Sequence, residues 1–182
     1  MLFRSFSHTA DGTLSDRAAR TGYQHCLLAE NLASHQDGRG FETRALAKSA
    51  MEGWLNSPGH RENLITPGLT ETGVAVARSL DATPKYIAVQ VFGRPQSLEL
   101  TFQVSNATVE PVTFAFAGKV HDLKPHMAVT MHTCTGGPVS FEKTGARAFT
   151  ARYEAAGGKS YVVNAPASGP LRVDVLERQT VR

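Results

Sequence analysis

The hydrophobic period of this 182-residue chain changes once, near Gly93, and that change limits its folds more than any single motif does. Leu46, Ala47, Ala50, Met51, Trp54 and Leu55 fall at the i, i+4, i+8 spacing of one helical face. From Leu98 onward apolar residues stand at every second position, Leu98, Leu100, Phe102 and Val104, as in a strand with one buried face. A chain whose helical period is confined to its first half reads as two domains, and its length lets each half bury a core.

Before the change, helices mix with strands. Leu14–Gly22 reads as a short helix, with Ser15 or Asp16 capping its first amides and Gly22 ending it in a left-handed turn. "YQHCLLAENLAS" reads as a short strand or irregular buried segment, and the glycine-rich "HQDGRG" as a loop. Glu42–Leu55 is the helix of the apolar stripe, stopped by Pro58 and Gly59, and a shorter one is expected over His60–Ile65. "TGVAVAR" and "YIAVQVFG", joined by "SLDATPK", read as an antiparallel pair.

After the change, seven short β-patterned runs follow in close succession, from "LELTFQV" to "LRVDVLE", with Gly, Pro and Asn between them. That pattern points to a small all-β sandwich, immunoglobulin-like or similar, or to a barrel. The boundary is placed at Arg94–Ser97, where Pro95 can interrupt strand pairing, which gives domains 1–94 and 97–182.

Composition removes several classes of function. No stretch approaches the roughly 18–20 apolar residues that a membrane-spanning helix needs, so no integral membrane segment is expected. Net charge is +3, with 10 Lys and Arg against 9 Asp and Glu through Arg94 and 9 against 7 after it. The basic residues are scattered singly, which argues against nucleic acid as a partner. Cys26 and Cys134 fall in different expected domains and read as free, buried thiols. "MLFRSFSHTADGT" lacks the apolar core and cleavage site of a secretory signal.

Six stretches in order, "FSHTADGT" with "DRAARTGY", then "AENLA", "WLNSPGHRENLI", "TETGVAVA" and "YIAVQVFG", resemble bacterial members of the CAP superfamily. That superfamily groups cysteine-rich secretory proteins, antigen 5 and pathogenesis-related 1 proteins. The resemblance covers about Phe6 to Gly93. It implies an α-β-α sandwich, hence an α+β chain overall, and a cleft in which two histidines and two acids bind a divalent metal in some members. Matched one position at a time, those residues are His8, Glu30 and His60, with Ser57 where many eukaryotic members carry the second acid. Against the family pattern the chain lacks the long first helix, and Met1, Leu2 and Phe3 match the apolar end of it, so a late start is expected.

Two imidazoles and a carboxylate are the donor set of an open tetrahedral site for zinc or another divalent cation. The same three side chains, His8, Glu30 and His60, can instead hydrogen-bond one another and fix three loops across the cleft. The chain has no H-E-x-x-H helix, nucleophile elbow or evident oxyanion donors, so no residue is assigned as catalytic. Ser57 is expected to cap the helix beginning at His60, with Glu62 in its first turn, while Asn31 and Asn63 are expected to bond local backbone. Trp54 reads as core. In the second domain His132 and Cys134 share a strand face near His121 and His126, but no histidine follows Cys134, so a packed strand is preferred to a copper site.

These readings converge on a secreted or envelope-associated protein. A cleft with His8, Glu30, Ser57 and His60 would bind a small apolar molecule, a glycan or a protein partner. Two alternatives stay open: a zinc-dependent hydrolase using His8, Glu30 and His60, and a structural adhesin acting through the β-domain.

Overall fold

The computed structural model of the chain describes residues 7–9, 11–143, 149–165 and 170–177. The match of Met1, Leu2 and Phe3 to the end of a preceding helix lies outside them. The chain is mixed α+β and divides into two compact units, Met1–Leu98 and Glu99–Arg182.

In the first unit, among the described residues, the helices are α1 (Leu14–Arg20), α2 (Thr43–Asn56) and α3 (Pro58–Ile65), and the strands are β1 (His25–Gln36), β2 (Glu71–Arg78) and β3 (Lys85–Pro95). A capping box starts α1: the Asp16 amide donates to the Thr13 hydroxyl at 3.1 Å, and the Thr13 amide donates to the Asp16 carboxylate at 2.9 Å. The cap is therefore Thr13 rather than Ser15 or Asp16, because Asp16 serves best three residues inside the helix, where it answers the cap's own amide. Gly22, at φ +76°, ends the helix in the left-handed turn expected of it.

Helix α2 is capped by Glu42, which accepts from the Ala45 amide at 3.0 Å, and it buries Leu46, Ala50 and Trp54. Helix α3 starts at Pro58, two residues earlier than expected, because proline's fixed φ and missing N–H suit the first helical position. Ser57 occupies the cap position, but its hydroxyl makes no capping hydrogen bond. The earlier start also moves Glu62 out of the first turn.

The three strands form one antiparallel sheet in the order β1-β3-β2. Strand β1 is a twelve-residue strand rather than a short one, paired with β3 from His25 opposite Pro95 to Gln36 opposite Lys85, with one register shift between His25 and Leu27. Alternation sends Leu28, Glu30 and Leu32 to one face and Ala29, Asn31 and Ala33 to the other. Helices α2 and α3 pack on the Asn31 face, where Ala50, Trp54 and Ala88 form a buried cluster joined by Ala33 and Leu64. Helix α1 meets the Glu30 face through Arg17.

The second unit is all strand among its described elements: β4 (Leu100–Asn106), β5 (Val112–Phe116), β6 (Lys119–Leu123), β7 (Ala128–Thr133), β8 (Gly137–Lys143), β9 (Phe149–Ala155), β10 (Lys159–Asn164) and β11 (Arg172–Glu177). They form two four-stranded sheets, β11-β10-β4-β7 and β6-β5-β8-β9. One core serves both: Phe102 and Val104 of β4 and Tyr161 and Val163 of β10 bury against Phe114 of β5 and Val139 and Phe141 of β8. The Tyr161 hydroxyl donates to the Glu154 carbonyl at 2.6 Å, so this ring enters the core with its polar end satisfied.

Strand β6 is additional to the seven expected. It forms a two-residue hairpin with β5 through Ala117 and Gly118, both at positive φ, 49° and 74°. Alanine at the first of those positions is not a turn signal, which is why the sequence pattern hides the hairpin. His121 on β6 stacks on Phe114 at 4.7 Å between ring centroids, and His132 on β7 lies 3.3 Å from Glu99.

Cys26 and Cys134 are not free thiols: each is disulfide-bonded.

Candidate functional site

The site is built outward from Glu30. Its side chain is 3% exposed in the middle of β1, and both carboxylate oxygens are engaged. Arg17 Nη1 donates to Oε1 at 2.6 Å and Nη2 to Oε2 at 3.0 Å, a bidentate fork, while His8 Nδ1 lies 2.8 Å from Oε2. Arg17 Nη2 also donates to the His8 carbonyl at 3.2 Å, which fixes the segment carrying that histidine. Burial pushes the Glu30 carboxyl up, but the hydrogen bonds from Arg17 and His8 together outweigh it and hold the group below its ordinary value. The same bond raises the Arg17 guanidinium further above its ordinary value.

Of the three residues proposed from sequence, the structure thus joins His8 to Glu30. His60 stands apart from them in its bonding. Its backbone carbonyl accepts from Asn31 Nδ2 at 3.0 Å, on the face opposite the Glu30 carboxylate. Asn63 Nδ2 donates to the Glu30 carbonyl at 3.1 Å and to Asn31 Oδ1 at 2.9 Å. Asn31 and Asn63 therefore tie α3 to β1 across the chain instead of bonding local backbone. Ser57, in the turn between α2 and α3, makes no hydrogen bond to this network.

Sequence reasoning missed Arg17. The usable signal was a carboxylate expected inside a cleft with no assigned counter-charge, since a buried charge needs a partner. Arg17 and Arg20 were the basic residues preceding it on a helix.

Arg17 also lines a cavity of about 410 Å³ between α1 and the sheet. Leu14 and Ala18 of α1, Leu28 of β1 and Val91 of β3 supply its apolar wall, and Thr21, Tyr23, Glu71 and Thr72 line it as well, with Gly73 and Gly93. The Tyr23 hydroxyl donates to Glu71 Oε2 at 2.5 Å. Burial, and then that bond, push the Tyr23 phenol up to about 12. Gly93 beneath it has no space for a side chain, because an added Cβ would lie 2.4 Å from the Tyr23 oxygen. None of His8, Glu30, Ser57 and His60 lines this cavity.

Comparison with protein families adds the decisive observation: residues 5–92 match the family model described as cysteine-rich secretory protein family, CAP. Residues 5–92 are a CAP domain. Among solved structures, an outer surface protein from Borrelia burgdorferi is similar at 30% identity, over 50% of this chain and 62% of that one, with a TM-score of 0.38. This chain therefore spans less than two thirds of that protein's length. A comparison with curated proteins gives no match.

The CAP family implies a divalent metal in some members, and the donor chemistry tests whether this CAP domain fits one. A cation at Glu30 would need a carboxylate oxygen that Arg17 or His8 already occupies, and it would sit against a fixed guanidinium charge. Among the described residues no group of three or more His, Cys, Asp and Glu side chains is placed to hold a metal ion. The residues at the centre of this CAP domain do not fit the metal. The guanidinium supplies the positive charge instead.

Proposed function

We propose that this protein is a non-enzymatic binding module of the cell exterior or envelope, and that its CAP domain takes up a small apolar molecule between α1 and the sheet. One observation carries the reading: a cavity of small-molecule size, walled by Leu14, Ala18, Leu28 and Val91, adjoins an ion cluster with no spare base. With both oxygens of Glu30 engaged, the cluster serves as a rigid support for α1. A glycan or a protein partner would need a more polar surface than this cavity offers.

The location is supported by the family, whose members are mostly exported, and by the disulfide-bonded state of Cys26 and Cys134, which suits an oxidising compartment. The finer architecture we read is an α-β-α sandwich in the first unit and a β-sandwich, immunoglobulin-like or similar, in the second.

The test is uptake of an environment-sensitive apolar dye by the full chain and by Gly73→Leu. Gly73 lines the cavity and a Cβ added there meets nothing within 4 Å, so a leucine at this position is placed to fill the space the ligand would take. Saturable dye binding that Gly73→Leu abolishes supports the reading. Equal binding by both chains removes the cavity from it.

A further inference from the structure

Strand β2 is an open edge of the three-stranded sheet: β3 pairs with one side of it, and among the described residues nothing pairs with the other. Edge strands are normally kept from further pairing by a lysine, a proline, a bulge or a covering segment. Between Glu71 and Arg78, β2 reads TGVAVA, with neither charge nor proline, and its register runs without a shift from Glu71 opposite Gly93 to Arg78 opposite Tyr86. The edge is therefore regular and unguarded.

The phase of its backbone follows from the residue just beyond it. Ser79 continues the register opposite Lys85, and its amide donates to the Lys85 carbonyl at 2.8 Å. Bonded and non-bonded positions alternate along an antiparallel ladder, so Gly73, Ala75 and Ala77 direct their amides and carbonyls to β3. Thr72, Val74, Val76 and Arg78 direct theirs to the open side. Val74 and Val76 also stand opposite Gln90 and Ala88, on the face where α2 and α3 pack, yet they are 63% and 54% exposed, because the helices bury Ala88 and leave β2 uncovered. Unmatched backbone groups and uncovered valines thus fall on the same residues.

What satisfies such an edge is another strand, and the pattern of β2 fits a copy of itself. Two antiparallel copies about a two-fold axis through the sheet must oppose residues of the same face. With the axis at Ala75, Val74 meets the partner's Val76, Thr72 meets the partner's Arg78, and each outward-directed position of one copy meets an outward-directed position of the other. This pairing closes about eight backbone hydrogen bonds. It gathers Val74 and Val76 of both copies on one face and sets Glu71 opposite the partner's Ser79, so that no like charges are opposed. A slip of one residue opposes outward groups to inward ones. A slip of two leaves an outward position at one end of β2 unmatched.

We infer that two copies of this chain associate through β2, antiparallel about Ala75, so that their sheets join into one. The contact is isologous and closes on itself, which ends the assembly at a dimer.

Sedimentation equilibrium of the full chain from about 1 to about 500 µM tests this. The expected result is a reversible monomer-dimer equilibrium whose limiting mass is twice the 19.6 kDa of the chain. Val76→Lys, at an exposed position, brings two ammonium groups near the centre of the pairing and weakens the dimer by about tenfold or more. Ala75→Cys reads the register, because directly opposed residues at a non-hydrogen-bonded antiparallel position have Cα atoms about 4.5 Å apart, within disulfide reach. Under mild oxidation Ala75→Cys should give a covalent dimer, while Ala77→Cys, which opposes the partner's Gly73, should give far less. A single-chain mass at every concentration overturns the proposal, and so do assemblies larger than a dimer. A dimer that Val76→Lys leaves unchanged, or equal cross-linking by the two cysteine variants, overturns it as well. If Val76→Lys does not fold, the cysteine pair still decides.

Discussion

Arg17 grips Glu30 by a two-point fork, Nη1 to Oε1 at 2.6 Å and Nη2 to Oε2 at 3.0 Å. The planar guanidinium matches the carboxylate in both spacing and charge, which a lysine at that position would not do. Since the Glu30 side chain is 3% exposed and that of Arg17 27%, the pair is buried enough for loss of one partner to be felt as an unpaired charge. The fork also joins α1 to the middle of β1.

The first prediction concerns this coupling. Arg17→Ala strands a buried carboxylate with only His8 beside it and should destabilise the chain by about 3 kcal/mol, the usual scale for breaking a buried pair. Adding Glu30→Ala should recover a large part of that loss, because the orphaned charge goes with it. A double-mutant cycle by urea denaturation measures the coupling. Strictly additive losses would show that the two groups act independently.

Acid should act through the same carboxyl. Its folded value is depressed, so its contribution is present above the unfolded value of about 4.3 and is lost as pH falls through the lower folded value. The stability difference between the native chain and Glu30→Gln should therefore hold steady above about pH 5 and shrink below about pH 4. A difference that grows on acidification has the wrong sign for this account.

At the alkaline end the sign reverses. The Tyr23 phenol is raised to about 12, so its contribution is complete below the unfolded value of about 10 and disappears as pH rises through 12. Tyr23→Phe should flatten that part of the stability profile. Gly93→Ala should do so as well, by driving a Cβ to 2.4 Å from the hydroxyl and displacing it from Glu71, at a cost of about 1–3 kcal/mol. Ultraviolet titration of the phenolate follows both variants.

What the sequence disclosed about this fold depended on how local the signal was. The α2 stripe from Leu46 to Trp54 and the alternation in β4 are local, and both read correctly. Thr13 and Asp16 form a capping box whose spacing the sequence contains, but Ser15 and Asp16 are capping side chains too, so residue type alone does not single out Thr13. The His8 contact with Glu30 came from motif matching. His60 was expected beside them from the motif that carries it. In the structure its link to β1 runs through Asn31, whose side chain leaves on the opposite face from that of Glu30. The Arg17 contact with Glu30 joins residues 13 apart on different elements, which no local pattern records.

The most direct test of the central claim, that a guanidinium and not a metal ion neutralises Glu30, is calorimetric titration of zinc into the untagged native chain and into Glu30→Gln. The account predicts matching baseline heats and no rise in thermal stability for either chain. A one-to-one zinc site in the native chain that vanishes in Glu30→Gln would contradict it.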